Sequence, residues 1–176
     1  MNESELLLET RRFRVVRRYG ETDDGTHYAH ETIEHPGAVT ILPVLDGNRI
    51  CLIRNYRLAV DSTLIELPAG TLEPGEEPAE TARRELVEET GYTAAHIEPL
   101  VQFYMSPGIM DERMYLYVAT GLMLGDRDLD ATEQIETMIV DWPQAMEMIA
   151  RGEIQDAKTL VGLLHGATWL ASRAIE

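Results

Sequence analysis

Three glutamates, Glu85, Glu88 and Glu89, crowd one short stretch of the chain, ETARRELVEET. A helix is expected there over Pro78 to Thr90: Pro78 stands near the first helical position, where an amide proton is not needed, and Gly91 falls just past the last turn. At ~100° per residue the three carboxylates fall within roughly a quarter-turn, at the edge of an apolar stripe of Ala79, Ala82 and Leu86 that must face a sheet. Glu85 and Glu89 are like charges at i and i+4, a spacing that opposes helix stability. A hard divalent cation offsets that repulsion. Magnesium favours carboxylate oxygens, keeps several waters and takes its remaining ligands from phosphates, whose charge it screens while polarising phosphorus towards water. A helix rich in Glu and Arg is ordinarily a solvated surface, and what separates this one is its company. Arg84 is placed to orient Glu76 or Glu85 through a fork-like contact. The preceding loop holds Gly70, Pro74 and Gly75, so it turns sharply and can bring a backbone carbonyl to the carboxylates.

Gly70, Glu76, Arg84-Glu85, Leu86, Glu88-Glu89, Gly91 and Tyr92 fill every fixed position of the pattern GX5EX7REUXEEXGU, with U a bulky apolar residue. The segment thereby resembles the Nudix signature, Tyr92 being aromatic where an aliphatic is usual. Further segments resemble the ADP-ribose pyrophosphatase branch of that family: Ile65-Glu66-Leu67-Pro68-Ala69, Ser106-Pro107-Gly108, Arg54-Asn55-Tyr56-Arg57 (with Asn55 where Gln is usual) and Asp156-Ala157-Lys158-Thr159. Together they span Ala38 to about Leu164, while the N-terminal strands resemble the family only loosely.

The resemblance implies an α/β/α sandwich with a mixed sheet, in a homodimer whose N-terminal strands cross to the partner. It implies hydrolysis of the diphosphate of a nucleoside diphosphate sugar, with ADP-ribose yielding AMP and ribose 5-phosphate. GDP-mannose hydrolysis and a non-catalytic nucleotide sensor are the alternatives. By resemblance Mg2+, or Mn2+ in its place, is held by Glu85 and Glu89, with Glu88 and the Ala69 carbonyl as additional ligands. Glu76 then holds Arg84 and the loop rather than metal. Relatives recruit a general base from a late loop, here DLDATEQIE, where Glu133 is the first candidate and Glu136 the second, each set against the plainer reading of an exposed acid. Arg57 is expected to grip a phosphate, with Arg54 a weaker candidate; Glu112 is expected at the terminal ribose and Tyr28 on the base. Met105 and Met110 either line the pocket or pack.

Strands must position these groups. Phe13 to Glu34 reads as a strand pair with Gly25 in its turn. Ala38 to Leu45 and Arg49 to Ile53 flank Asp46-Gly47, a hairpin signal because both central positions of the tightest such turn need φ > 0. Pro43 lacks a donor, which predicts an edge or bulged strand. Thr63 to Leu67, Val101 to Tyr104, Met114 to Ala119 and Glu136 to Val140 read as strands. Pro143 to Ala150, and a segment capped by Asp156 that runs towards Ala171, read as helices. The sum is one mixed α and β domain over 1–176, with strands in 1–37 and the core in 38–176.

The net charge of −16 opposes nucleic acid or an anionic membrane as partner. Cys51 is the one cysteine, within the strand-like RICLIR, where a small core residue is the plain expectation. His27 and His30 form HxxH without a helix or third ligand, which disfavours zinc. No apolar run approaches the ~20 residues of a membrane helix, and the N-terminus lacks the layout of a secretory signal, so a cytoplasmic location is expected.

Overall fold

A computed structural model describes residues 4–127 and 135–173. The chain builds a three-stranded antiparallel sheet from β1 (Ser4–Glu9), β2 (Arg14–Glu21) and β3 (His27–Glu34). A seven-stranded sheet follows, from β4 (Ala38–Leu45), β5 (Arg49–Arg57), β6 (Ser62–Glu66), β7 (Ala69–Thr71), β8 (Tyr92–Tyr104), β9 (Arg113–Leu124) and β10 (Ile135–Asp141). Its main path runs β10-β5-β4-β9-β8, with β6 paired to β5 and β7 to β4. The β4–β9 pair is parallel, and the other pairs are antiparallel.

Alternation along the central strands sets the layers. Val39 and Ile41 of β4, with Tyr117 and Ala119 of β9, pack against Ala82 and Leu86 of helix α1 (Pro78–Thr90). Leu42, Leu116 and Val118 face the opposite way, onto Ala145 and Met148 of α2 (Trp142–Ala150) and Leu163 of α3 (Ala157–Arg173). The expected α/β/α sandwich with a mixed sheet is thus the observed one. Gly166, a weak helix former, lets α3 lie close to its neighbours: a Cβ there would stand 2.8 Å from the Trp142 ring. None of the described helices is long and apolar enough to cross a membrane.

Two local expectations are corrected. Pro43 lies in a central strand, at neither an edge nor a bulge: β4 pairs with β9 in unbroken register from Ala38 to Pro43. On one flank β4 pairs with β7 only as far as Thr40 and with β5 only from Val44, so Pro43 falls in the gap between these pairings. The Asp46-Gly47 hairpin exists, but as a single 3-10 turn over Asp46–Asn48, in which Asn48 takes the left-handed backbone (φ 60°). This is the three-residue hairpin geometry, a turn followed by one αL residue.

The small sheet is mostly exposed, with Val16 its buried residue. It is tied to the main body through β3. The Ile33 N–H donates to the Ile109 carbonyl at 2.8 Å, and the Asp111 N–H donates back to the Ile33 carbonyl at 3.1 Å.

Candidate active site

The observed α1 has the expected limits, with Pro78 in its first turn and Gly91 as a left-handed C-cap. Burial of Ala82 and Leu86 leaves the carboxylates at the rim of the packed face. Glu89 is itself buried, and its Oε2 accepts the Ala69 N–H at 2.8 Å, which sets the peptide of β7 beside the helix. Glu85 lies directly against Gly70: a Cβ on that glycine would occupy the space of the carboxylate. Gly70 has no positive φ and sits within β7, so its role is close approach rather than the sharp turn expected of it.

Arg84 is the hub. Its Nε and Nη2 form a fork on Glu76 at 3.1 and 3.0 Å, while Nη1 donates to Glu85 at 2.7 Å and to Glu88 at 2.8 Å. The two alternatives open in the sequence, Glu76 or Glu85, are therefore both realised. The Arg84 bonds hold the Glu76 carboxyl at about 2, far below the usual carboxylate range. The same bonds, Glu76 foremost, raise the arginine.

A second charged group is centred on Glu66. Glu66, the last residue of β6, is fully buried and receives a fork from Arg57, with Nε at 2.8 Å and Nη2 at 2.6 Å. Lys158 adds a bond at 2.5 Å and also meets Asp156 at 2.9 Å. Burial pushes the Glu66 carboxyl up, but Arg57 and Lys158 together outweigh it and leave it lowered. Asp156 caps α3 by accepting the Thr159 N–H at 2.9 Å, and Thr159 Oγ1 accepts the Leu67 N–H at 2.8 Å. The edge of Arg57 formed by Nε and Nη2 is thus committed to Glu66, a partner the sequence reading did not assign to it.

The other expected residues are placed as follows. Glu112 stands 3.6 Å from Nδ1 of His35, a nitrogen that also accepts the Gly37 N–H at 3.2 Å. Met105 and Met110 are partly buried in the loop that carries Glu112. Arg54 on β5 and Glu136 on β10 are direct cross-strand neighbours, both exposed. Tyr28 is 45% exposed, and its ring covers Gly20 on the neighbouring strand. Glu133 lies outside the described residues. Cys51 is buried, and that burial pushes its thiol up to about 12, so it is an inert core residue. An open cleft of about 600 Å³ lies elsewhere, between the Asp46–Asn48 turn, the start of α2 and the end of α3, and includes none of the residues above. Sequence reasoning missed Arg127, whose Nη2 donates to the Glu89 and Ile135 carbonyls. It missed Lys158 as a buried cation too, although the DAKT segment marked its place.

The NUDIX domain family model matches residues 34–161. The chain belongs to the Nudix family. Among curated relatives, the ADP-ribose pyrophosphatase of Bacillus subtilis (strain 168) is 41% identical over 147 residues, covering 82% of this chain and 80% of the relative. The methanol dehydrogenase activator of Bacillus methanolicus is 37% identical with the same coverage. The GDP-mannose pyrophosphatase of Enterobacter sp. (strain 638) is 34% identical over 144 residues, 73% of this chain and 72% of the relative. A crystal structure of an ADP compounds hydrolase superposes with a TM-score of 0.86 at 26% identity, over 97% of this chain and 93% of that one.

The donor set of this Nudix helix suits a hard cation: carboxylate oxygens from Glu85, Glu88 and Glu89 beside the Ala69 peptide. Among the described residues no three acidic, His or Cys side chains form a ready-made metal cage. Magnesium asks for less, because it is held by one or two carboxylates and completes its shell with water and substrate phosphate.

Proposed function

We propose that this Nudix protein is a magnesium-dependent hydrolase that cleaves the diphosphate bond of a nucleoside diphosphate sugar, with ADP-ribose, split into AMP and ribose 5-phosphate, as preferred substrate. The observation that carries the reading is the cluster of carboxylates at α1, where Glu76, Glu85 and Glu88 share the guanidinium of Arg84 and Glu89 accepts the Ala69 N–H beside them. Such a cluster attracts a cation, and only with one can so acidic a protein hold a diphosphate. The ADP-ribose pyrophosphatase relative supports the substrate. The GDP-mannose pyrophosphatase relative makes that sugar nucleotide the competing reading.

In this account Glu85 and Glu89 are the principal magnesium ligands, assisted by Glu88 and the Ala69 carbonyl; Mn2+ would substitute. Bound magnesium supplies charge screening at the phosphates and polarisation of phosphorus. Arg84 aims Glu85 and Glu88 through the two bonds of its Nη1. Glu133 takes the proton of the attacking water, with Glu136 the second candidate. Arg57, its far edge fixed by Glu66, meets a phosphate through its remaining amino group, and Arg54 flanks it. Glu112 receives the terminal ribose and Tyr28 the base. The exposed leucines of β1 (Leu6 49%, Leu7 40%, Leu8 52%) support a homodimer joined through the N-terminal sheet. A cytoplasmic location, with no nucleic-acid or membrane partner, fits the net charge of −16.

The test is hydrolysis of ADP-ribose and GDP-mannose side by side with Mg2+, with and without chelator. Faster, chelator-sensitive release of AMP from ADP-ribose is the expected result. Faster GDP-mannose cleavage would transfer the substrate assignment, and no cleavage of either would overturn the catalytic reading.

A further inference from the structure

The last turn of α1 is electrostatically awkward. A helix carries its negative pole at the carboxyl end; Glu88 and Glu89 add carboxylates there, and no basic residue lies in that turn. The final carbonyls of a helix also lack donors within the helix. The Gly91 N–H answers Val87, but the carbonyl of Glu89 is answered by Arg127, from 38 residues away. The same Nη2 reaches the carbonyl of Ile135, the first residue of β10, at 3.2 Å.

Gly91 clears the path for this contact. A Cβ at that position would stand 2.8 Å from Cγ of Arg127 and 3.1 Å from the Gly125 carbonyl. The Gly125 N–H donates to the Gly91 carbonyl at 2.8 Å, which fixes the chain just ahead of Arg127. Gly91 therefore has two duties: its φ of 77° ends the helix, and its missing side chain admits the arginine stem.

We propose that Arg127 is a positioning residue of the site. Through one nitrogen it joins the last turn of α1 to the start of β10, and so fixes Glu88 and Glu89 relative to the strand that carries Glu136. Its charge supplies the cation that the helix end lacks. It acts through the backbone of Glu89. This inference rests on the reading of α1 as a magnesium site.

The test compares the wild type, Arg127→Met, Arg127→Lys and a control, Arg83→Met, in the intact chain. Arg83 also reaches from α1 to a strand carbonyl, that of Ala94 at 3.3 Å, but away from the acidic face. Mg2+ binding is read by calorimetry, and kcat and KM for ADP-ribose are read separately. Arg127→Met is expected to weaken Mg2+ binding and to lower kcat by roughly 10-fold each, the low end of what outer partners of metal ligands contribute. KM is expected to stay within about two-fold, as is every parameter of Arg83→Met. Lys at 127 keeps the charge and a donor nitrogen on a differently shaped side chain, and should recover part of both losses. Should the Met variant not fold, a Lys variant with weakened Mg2+ binding supports the proposal and one with wild-type binding overturns it. A lowered melting temperature with unchanged Mg2+ binding and kcat would also overturn it. A wild type that neither binds Mg2+ nor turns over would sink the reading of the site, and this inference with it.

Discussion

Two groups of carboxylates in this molecule differ in their burial and in the partners that hold them. Glu66 is paired with Arg57 and Lys158, and Lys158 also meets Asp156, with Glu66 at 1% and Lys158 at 9% side-chain exposure. Around α1, Glu76, Glu85 and Glu88 share Arg84, more exposed than Lys158, and Glu89 accepts the Ala69 N–H. A balanced buried network completes itself; removing one partner strands the other in low dielectric. The partly exposed carboxylates around Arg84 are the ones proposed to take an added cation. Both groups read as charged residues in the sequence, and only the folded chain shows which carboxylates are buried against cations and which lie at a partly exposed rim.

The sharpest break of this comparison is Glu85→Gln. It should lower kcat for ADP-ribose by more than about 100-fold, beyond what the loss of an outer partner of a metal ligand costs. It should leave the fold intact, because it removes a like-charge i, i+4 pairing worth only a few tenths of a kcal/mol. The converse substitution, Lys158→Met, should cost about 3–5 kcal/mol of stability by leaving Glu66 and Asp156 short of a cation. Urea unfolding measures that loss, and a Lys158→Met protein as stable as wild type would erase the distinction between the two groups. Gly70→Ala falls between these: the added methyl displaces the Glu85 carboxylate, so turnover should drop by roughly 10–100-fold while the melting temperature changes little.

The smallest effect is one of pH. The Glu76 carboxyl sits at about 2 in the folded chain against an ordinary 4.5. A carboxyl lowered on folding adds stability that is present above its unfolded value and is lost as pH falls through the folded one. The Glu76–Arg84 contribution should therefore be whole above about pH 4.5 and fade between there and about pH 2. Stability curves of wild type and Glu76→Gln should differ above that window and converge within it.

Much of this was legible in the chain because local chemistry carries it. Pro78 and Gly91 marked the ends of α1, helical spacing put Glu85, Glu88 and Glu89 on one arc, and Asp156 announced the start of α3. What escaped has nonlocal causes. The three residues of β7 are too few for any periodicity, yet they bring Ala69 to Glu89 and Gly70 to Glu85. Pro43 was misplaced because its tolerance depends on where two neighbouring strands stop. Glu66 sits in an apolar stretch, LIELPA, a hint of a buried charge; its cations lie nine and 92 residues away. Arg127 binds main-chain carbonyls, which every sequence offers at every position, so nothing in the sequence singles it out.

The central claim is that the carboxylate cluster on α1 is a magnesium site for diphosphate hydrolysis. Its most direct test is the Mg2+ dependence of AMP release from ADP-ribose, measured on wild type and Glu85→Gln under the same conditions. The account predicts saturable activation of the wild type that chelator abolishes, and a variant that remains folded but nearly inactive at every Mg2+ concentration. Equal Mg2+-activated rates in the two proteins, or a wild-type rate indifferent to chelator, would contradict it.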